Sequence, residues 1–224
     1  NWQVTPDTGF YRLSWDLRRN GVRFPSRNEQ QGGGRRGPTG GRVLPGIYKV
    51  VVKYNGAKDS TDVLVNADPR YFIPMSDRQA AAAVQETMFG LVKQATESFN
   101  RLRDARKTIA RVNESMALAP DSTKQSFSKW GKSLTDSLNR LEELFMDPED
   151  VKGIVRSPNN LNSTMFRAFS AVSALDGPPN QAARLSMDKF KMELLSVMSQ
   201  INRFFEGEFS KYRQKVEAQE APLF

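Results

Sequence analysis

The sequence reads as a mainly α, α+β protein. A partial β-sandwich segment over residues 1–75 is expected to precede an antiparallel four-helix bundle over residues 76–224, with two of the helices long. Three observations predict this. Ten of the 15 glycines lie before residue 75. Asn55-Gly56, the strongest short hairpin signal in the chain, separates two β-branched runs. Beyond residue 76, glycine is sparse and apolar residues recur at helical spacing in four runs.

Within the first part, Tyr11, Leu13 and Trp15 fall on one face at period two, which predicts a strand over 10–15. Pro45-Gly46 is a turn signal. Ile47 to Tyr54 carries the β-branched and aromatic content of a strand, and Ser60 to Val65 supplies its return. Residues 46–65 are therefore expected to form a β-hairpin. Trp15 and Tyr48 are placed on inward faces. So few strands cannot close a seven-stranded sandwich. Either the sandwich is truncated or its missing strands lie upstream in a longer protein. The start, Asn1-Trp2-Gln3, has no Met and no apolar leader, and reads as a piece of a longer or trimmed chain.

Ser76-Asp77-Arg78-Gln79 has the form of a capping box. The stripe Val84, Met88, Leu91, Ala95, Phe99, Leu102, Ile109, Val112 and Met116 predicts one helix over about 77–117, roughly 60 Å long at 1.5 Å per residue. Pro120 ends it, and Ser122-Thr123-Lys124-Gln125 has the form of a second box. Phe127, Trp130, Leu134, Leu138, Leu141 and Phe145 mark a helix to about 146. Asn162 or Ser163 is expected to cap a third helix, with Met165, Phe169, Val172 and Leu175 inward. Gly177-Pro178-Pro179 stops that helix. Asn180 caps a fourth, whose stripe is Leu185, Phe190, Leu194, Val197, Ile201, Phe204 and Tyr212. Phe205 and Phe209 fall off this stripe. Short connections favour antiparallel neighbours.

Composition narrows the chemistry. The chain holds no Cys and no His among 224 residues, and its formal charge is +8. That excludes thiolate nucleophiles, disulfides, Cys-based zinc sites and imidazole acid–base catalysis. No window of about 18 apolar residues exists, so no transmembrane helix is expected. The charge is uneven: residues 1–75 carry +6 and residues 76–224 carry +2. The excess sits in Arg18, Arg19, Arg23, Arg27, Arg35, Arg36 and Arg42, set against the single acid Glu29. A flexible Gly/Arg loop over 18–42 is suited to gripping polyanions or nucleic acid. The plainer alternative is a long solvated excursion between two strands, since Gly-Gly-Gly-Arg-Arg-Gly occurs once and Phe24 is its lone aromatic.

Acidic residues Glu142, Glu143, Asp147, Glu149 and Asp150 raise the idea of a metal or glycosidase dyad. Adjacent carboxylates on one helix cannot share a substrate, and Asp147-Pro148 suits a helix N-terminus. No catalytic residue, metal ligand or cofactor site is assigned. The charges Arg101, Arg103, Arg106, Lys107 and Arg111 read as a solvated helix face.

Trp15-Asp16-Leu17-Arg18, then Leu44-Pro45-Gly46-Ile47-Tyr48-Lys49-Val50, then Asp68-Pro69-Arg70 before a long helix, form an ordered set. Asn160-Leu161-Asn162-Ser163 and Leu175-Asp176-Gly177-Pro178-Pro179 extend it. The set resembles the C-terminal region of large Bacteroidetes proteins of the BNR-repeat, sortilin-like glycosyl hydrolase family. There a β-propeller is followed by an FlgD-like immunoglobulin-type segment and a helical region. That family usually has Thr where this chain has Asn180. The resemblance implies an exported, non-catalytic accessory module that braces the propeller of its parent protein or contacts another partner. Any glycosidase carboxylates would lie in the propeller, outside this chain.

Overall fold

A computed structural model describes residues 9–10, 12–28, 39–116, 120–148, 160–175 and 177–218. It is mainly helical, with two small antiparallel sheets of two strands each. Strands β1 (Arg18–Asn20) and β2 (Thr39–Arg42) form one sheet. Strands β3 (Gly46–Tyr54) and β4 (Ala57–Val65) form the other. Helices α1 (Met75–Ser115), α2 (Asp121–Glu143), α3 (Leu161–Ser173) and α4 (Gln181–Phe204) follow. A π-helical turn, Phe205–Phe209, joins α4 without a break to α5 (Ser210–Ala218).

The hairpin forms where the turn chemistry demands. Asn55 and Gly56 take φ of 46° and 80°, both positive as a type I′ turn requires. The ladder then runs in strict register from Tyr54↔Ala57 to Gly46↔Val65. Tyr48, Val50, Val52 and Tyr54 share one face with Val63, because opposed residues point the same way. Ile47, Lys49, Val51 and Lys53 take the other with Lys58, Asp62 and Leu64.

The expected strand over 10–15 is corrected. Residues 12–16 form no strand, and Tyr11 lies outside the described residues. A turn takes its place. Asp16 Oδ1 accepts from the Arg18 N–H at 3.2 Å, the Trp15 indole donates to Arg18 O at 3.1 Å, and Leu17 adopts φ 56°. Such local side-chain bonds compete with ladder pairing. Trp15 then packs edge-on against Tyr48 at 5.4 Å.

Both expected capping boxes give way to proline. α1 and α2 begin directly after Pro74 and Pro120, whose ψ near 145° makes them the non-helical N-cap residues. Ser76 and Ser122 consequently fall inside the first turn, and neither N-cap position carries a side-chain cap bond. α3 starts earlier than expected as well. Asn160 is its cap, with Oδ1 accepting from the Ser163 N–H at 2.9 Å. Asn180 caps α4 as anticipated, accepting from the Ala183 N–H at 2.8 Å.

All four helices contribute to one apolar core. Phe99, Leu102 and Ile109 of α1 meet Phe127, Leu134 and Leu138 of α2. Met165 and Val172 of α3, with Phe190, Leu194 and Ile201 of α4, complete it. Phe145, just past α2, packs edge-on to Phe99 at 5.2 Å. Leu185 departs from the expected stripe: it is 61% exposed, and Ala183 takes the inward position.

The π turn resolves the two stray phenylalanines. Its wider winding rotates the register of the residues that follow. Phe205 and Phe209 are thereby drawn beside Phe204, at 5.3 and 5.9 Å, and Tyr212 reaches the core beyond them. The Arg101 guanidinium caps this cluster 4.5 Å above the Phe205 ring, and its Nη1 donates to Asn202 Oδ1 at 3.0 Å. Arg106 bonds Glu142 Oε1 at 2.9 Å between α1 and α2. These charges on α1 are inter-helix struts, not a purely solvated face. Among the described residues, no helix is long and apolar enough to cross a membrane.

Candidate functional site

The basic segment 18–42 folds back so that its two ends meet. β1 and β2 are those ends, and Arg18 pairs with Arg42 across the ladder. Gly40 permits the approach. A Cβ there would sit 2.5 Å from Asn20 O and 2.9 Å from Arg19 O. The Val43 N–H donates to Leu17 O at 2.9 Å and closes the sheet's end.

Between the ends, residues 22–28 lie on the helices. Phe24 stacks on Phe166 at 4.9 Å and meets Phe169 edge-on at 5.0 Å. Pro25 is buried beside it. Thr96 Oγ1 of α1 donates to Arg23 O at 2.6 Å. The lone aromatic of the basic loop is thus an anchor onto α3.

This placement divides the seven arginines. Arg19 pairs with Glu86 of α1 at 3.3 Å, an exposed pair that contributes little stability. Arg27 Nη2 donates to Asp147 O at 2.7 Å. Arg23 is exposed. Arg35 and Arg36 lie outside the described residues. Arg18 and Arg42 remain, and both line a cavity of about 710 Å³ between the β-segment and the helices.

Three guanidiniums line that cavity: Arg18, Arg42 and Arg78, the last from the first turn of α1. Arg18 Nη1 donates to Gly40 O at 3.3 Å, and Arg78 Nε donates to Ile73 O at 3.2 Å. Asp16 and Asp68 are the acids at the same cavity, and both are engaged. Asp16 accepts the Arg18 N–H, while Arg70 grips Asp68 at 2.6 Å. The Arg70 side chain, then its backbone N–H, hold the Asp68 carboxyl below its ordinary range, and the nearby charges of Arg42 and Arg78 add to this. Several cations therefore surround one carboxylate.

The rest of the lining is largely apolar or neutral. Ala81, Ala82 and Phe89 come from α1, Phe169 and Leu175 from the α3 region, and Val65 from β4. Gln85 organises the junction. Its Nε2 donates to Leu175 O at 3.0 Å and, more weakly, to Val172 O at 3.4 Å, which also accepts the Leu175 N–H at 3.2 Å, so it ties α1 to the chain leaving α3. Gly41 lets Gln85 approach, since a Cβ there would lie 2.7 Å from its Oε1.

The sequence pointed to Arg18 and Arg42 but missed Arg78, Gln85 and Phe89. Those three sit on helix α1 with nothing local to mark them. Of the acidic group, Glu142 is spent on Arg106 and Asp147 Oδ1 accepts from Asn160 Nδ2 at 3.3 Å. Glu149 and Asp150 lie outside the described residues. Among the described residues, no three acidic side chains cluster as metal ligands would. Comparison with family models, curated proteins and solved structures finds no match to this chain.

Proposed function

We propose that this chain is a non-catalytic accessory module that docks on a β-rich neighbour through the β3–β4 ribbon. The observation that carries this reading is an uncovered apolar face. Val52 and Tyr54 are each 59% exposed, and Val50 and Val63 lie beside them on the same side of the ribbon. An isolated two-stranded ribbon is marginal in water. Its outer edges are templates for further strands, and its apolar face suits a second sheet about 10 Å away. The opposite face is less uniformly apolar: Lys49, Lys53, Lys58 and Asp62 alternate there with the exposed Ile47, Val51 and Leu64.

In this reading the ribbon is part of an immunoglobulin-like sandwich, and the helices form an antiparallel four-helix bundle that serves as its brace. The resemblance to BNR-repeat, sortilin-like proteins supplies the neighbour. It would be the propeller, or the rest of the sandwich, of the same exported parent protein. No residue of the chain is given a catalytic role.

Amide hydrogen exchange of β3 and β4 tests the reading, comparing this chain with its full parent protein. Docking should slow exchange along Val50–Tyr54 and Thr61–Val65 by about a hundredfold or more. Equal rates in the two proteins would overturn the docking. Turnover of a broad glycoside panel by this chain alone would overturn its non-catalytic character.

A further inference from the structure

We propose that the cavity between the β1–β2 sheet and helix α1 binds a small organic oxyanion, its head group held by Arg18, Arg42 and Arg78 and its short apolar body set against Phe89 and Ala82. The volume, about 710 Å³, lies within the range of small-molecule sites. A group that enters it must be of small-molecule size.

Charge decides the head group. Three guanidiniums line the cavity against two carboxylates, and each carboxylate already accepts from another donor. Among the described residues, the Arg42 guanidinium makes no hydrogen bond and no close ion pair, and its charge acts on Asp68 only at longer range. Arg18 and Arg78 each spend one N–H on a backbone carbonyl and keep others of their five. Guanidinium forks match carboxylate and phosphate oxygens in geometry. Where the chain leaving α3 borders the cavity, the Gln85 amide donates to Val172 O and Leu175 O. An oxyanion entering here therefore meets donors and positive potential.

The apolar part of the lining decides the body. Phe89 packs against Phe169 at 5.7 Å, and Ala81 and Val65 are buried beside them. A bare inorganic anion would leave this surface unused. The cavity lies at the base of the ribbon rather than along its exposed face, so this inference and the docking of the ribbon fail separately.

The test is titration of the full chain with phenyl phosphate and phenylacetate, followed by calorimetry and by NMR shifts. Two controls accompany them: benzyl alcohol, which lacks the charge, and inorganic phosphate, which lacks the ring. At least one of the two organic anions should saturate one site, with shifts centred on Arg18, Arg42, Arg78 and Phe89. Both controls should bind at least about tenfold more weakly, a difference of about 1.4 kcal/mol. Which anion binds more tightly distinguishes a phosphate from a carboxylate ligand. Arg42→Gln, at an exposed position, should weaken binding by about tenfold or more without changing the melting temperature. Ala82→Phe, which fills the cavity, should do so independently. The proposal is overturned by benzyl alcohol binding as tightly as the anions, or by shifts confined to the β3–β4 ribbon. Absence of saturation by about 10 mM would overturn it too.

Discussion

Tyr212 is 1% exposed, and among the described residues its hydroxyl has no hydrogen-bond partner. Its ring is held edge-on by Trp130 at 5.6 Å and by Phe127 at 6.1 Å. The ring therefore stabilises the core while the hydroxyl costs desolvation. Tyr212→Phe should raise stability by about 1 kcal/mol, read from the urea midpoint. Burial also pushes the phenol above its ordinary value of 10.0. Above pH 10 the unfolded chain loses this proton before the folded one does, so stability falls as pH rises. That alkaline decline should shrink in Tyr212→Phe. Gly40 acts at the same scale through backbone contact. Gly40→Ala pushes a methyl into Asn20 O and should cost about 2 kcal/mol, seen as faster amide exchange across β1–β2.

At the scale of elements, the ribbon and the helices differ in what holds them. The ribbon rests on its turn, its ladder and the Trp15–Tyr48 contact, with little core beneath it. Gly56→Val places a β-branched residue at φ 80° and should destabilise the ribbon by about 1–2 kcal/mol. Cross-strand NMR contacts between Tyr54 and Ala57 should weaken. The melting temperature of the helical core should stay unchanged, because local opening need not involve it. The helical rod from Gln181 to Ala218 is held differently. Its π turn is stabilised by an aromatic cluster and by Glu208, whose Oε2 accepts from Ser137 Oγ of α2 at 2.9 Å. A turn that looks like an irregularity in the helix is thus what lets Phe204, Phe205, Phe209 and Tyr212 share one side.

For the whole molecule, Phe24 ties the N-terminal segment to the helices. Phe24→Ala removes two ring contacts at the α3 surface and should cost about 2 kcal/mol, less than a fully buried ring because Phe24 is half-buried. The urea midpoint checks it, and exchange near Thr96 and Arg23 should rise. The elements themselves were largely legible: Asn55-Gly56 and the β-branched run marked the hairpin, and periodic apolar stripes marked α1, α2 and the α4 rod. Helix starts shifted because Pro74 and Pro120 end the preceding chain more sharply than a serine cap does. Trp15 misled because alternation over six residues is weaker than the turn its own indole and Asp16 make. The basic loop was visible as composition, yet its division was not. Nothing near Arg19 or Arg27 names Glu86 or Asp147 as a partner, and nothing near Arg78 announces Arg18 and Arg42. Turn chemistry and apolar period act between residues a few positions apart, so the chain alone sets its elements. The cavity joins residues from 16 to 175 across two sheets and two helices, and only packing brings such distant side chains to one place.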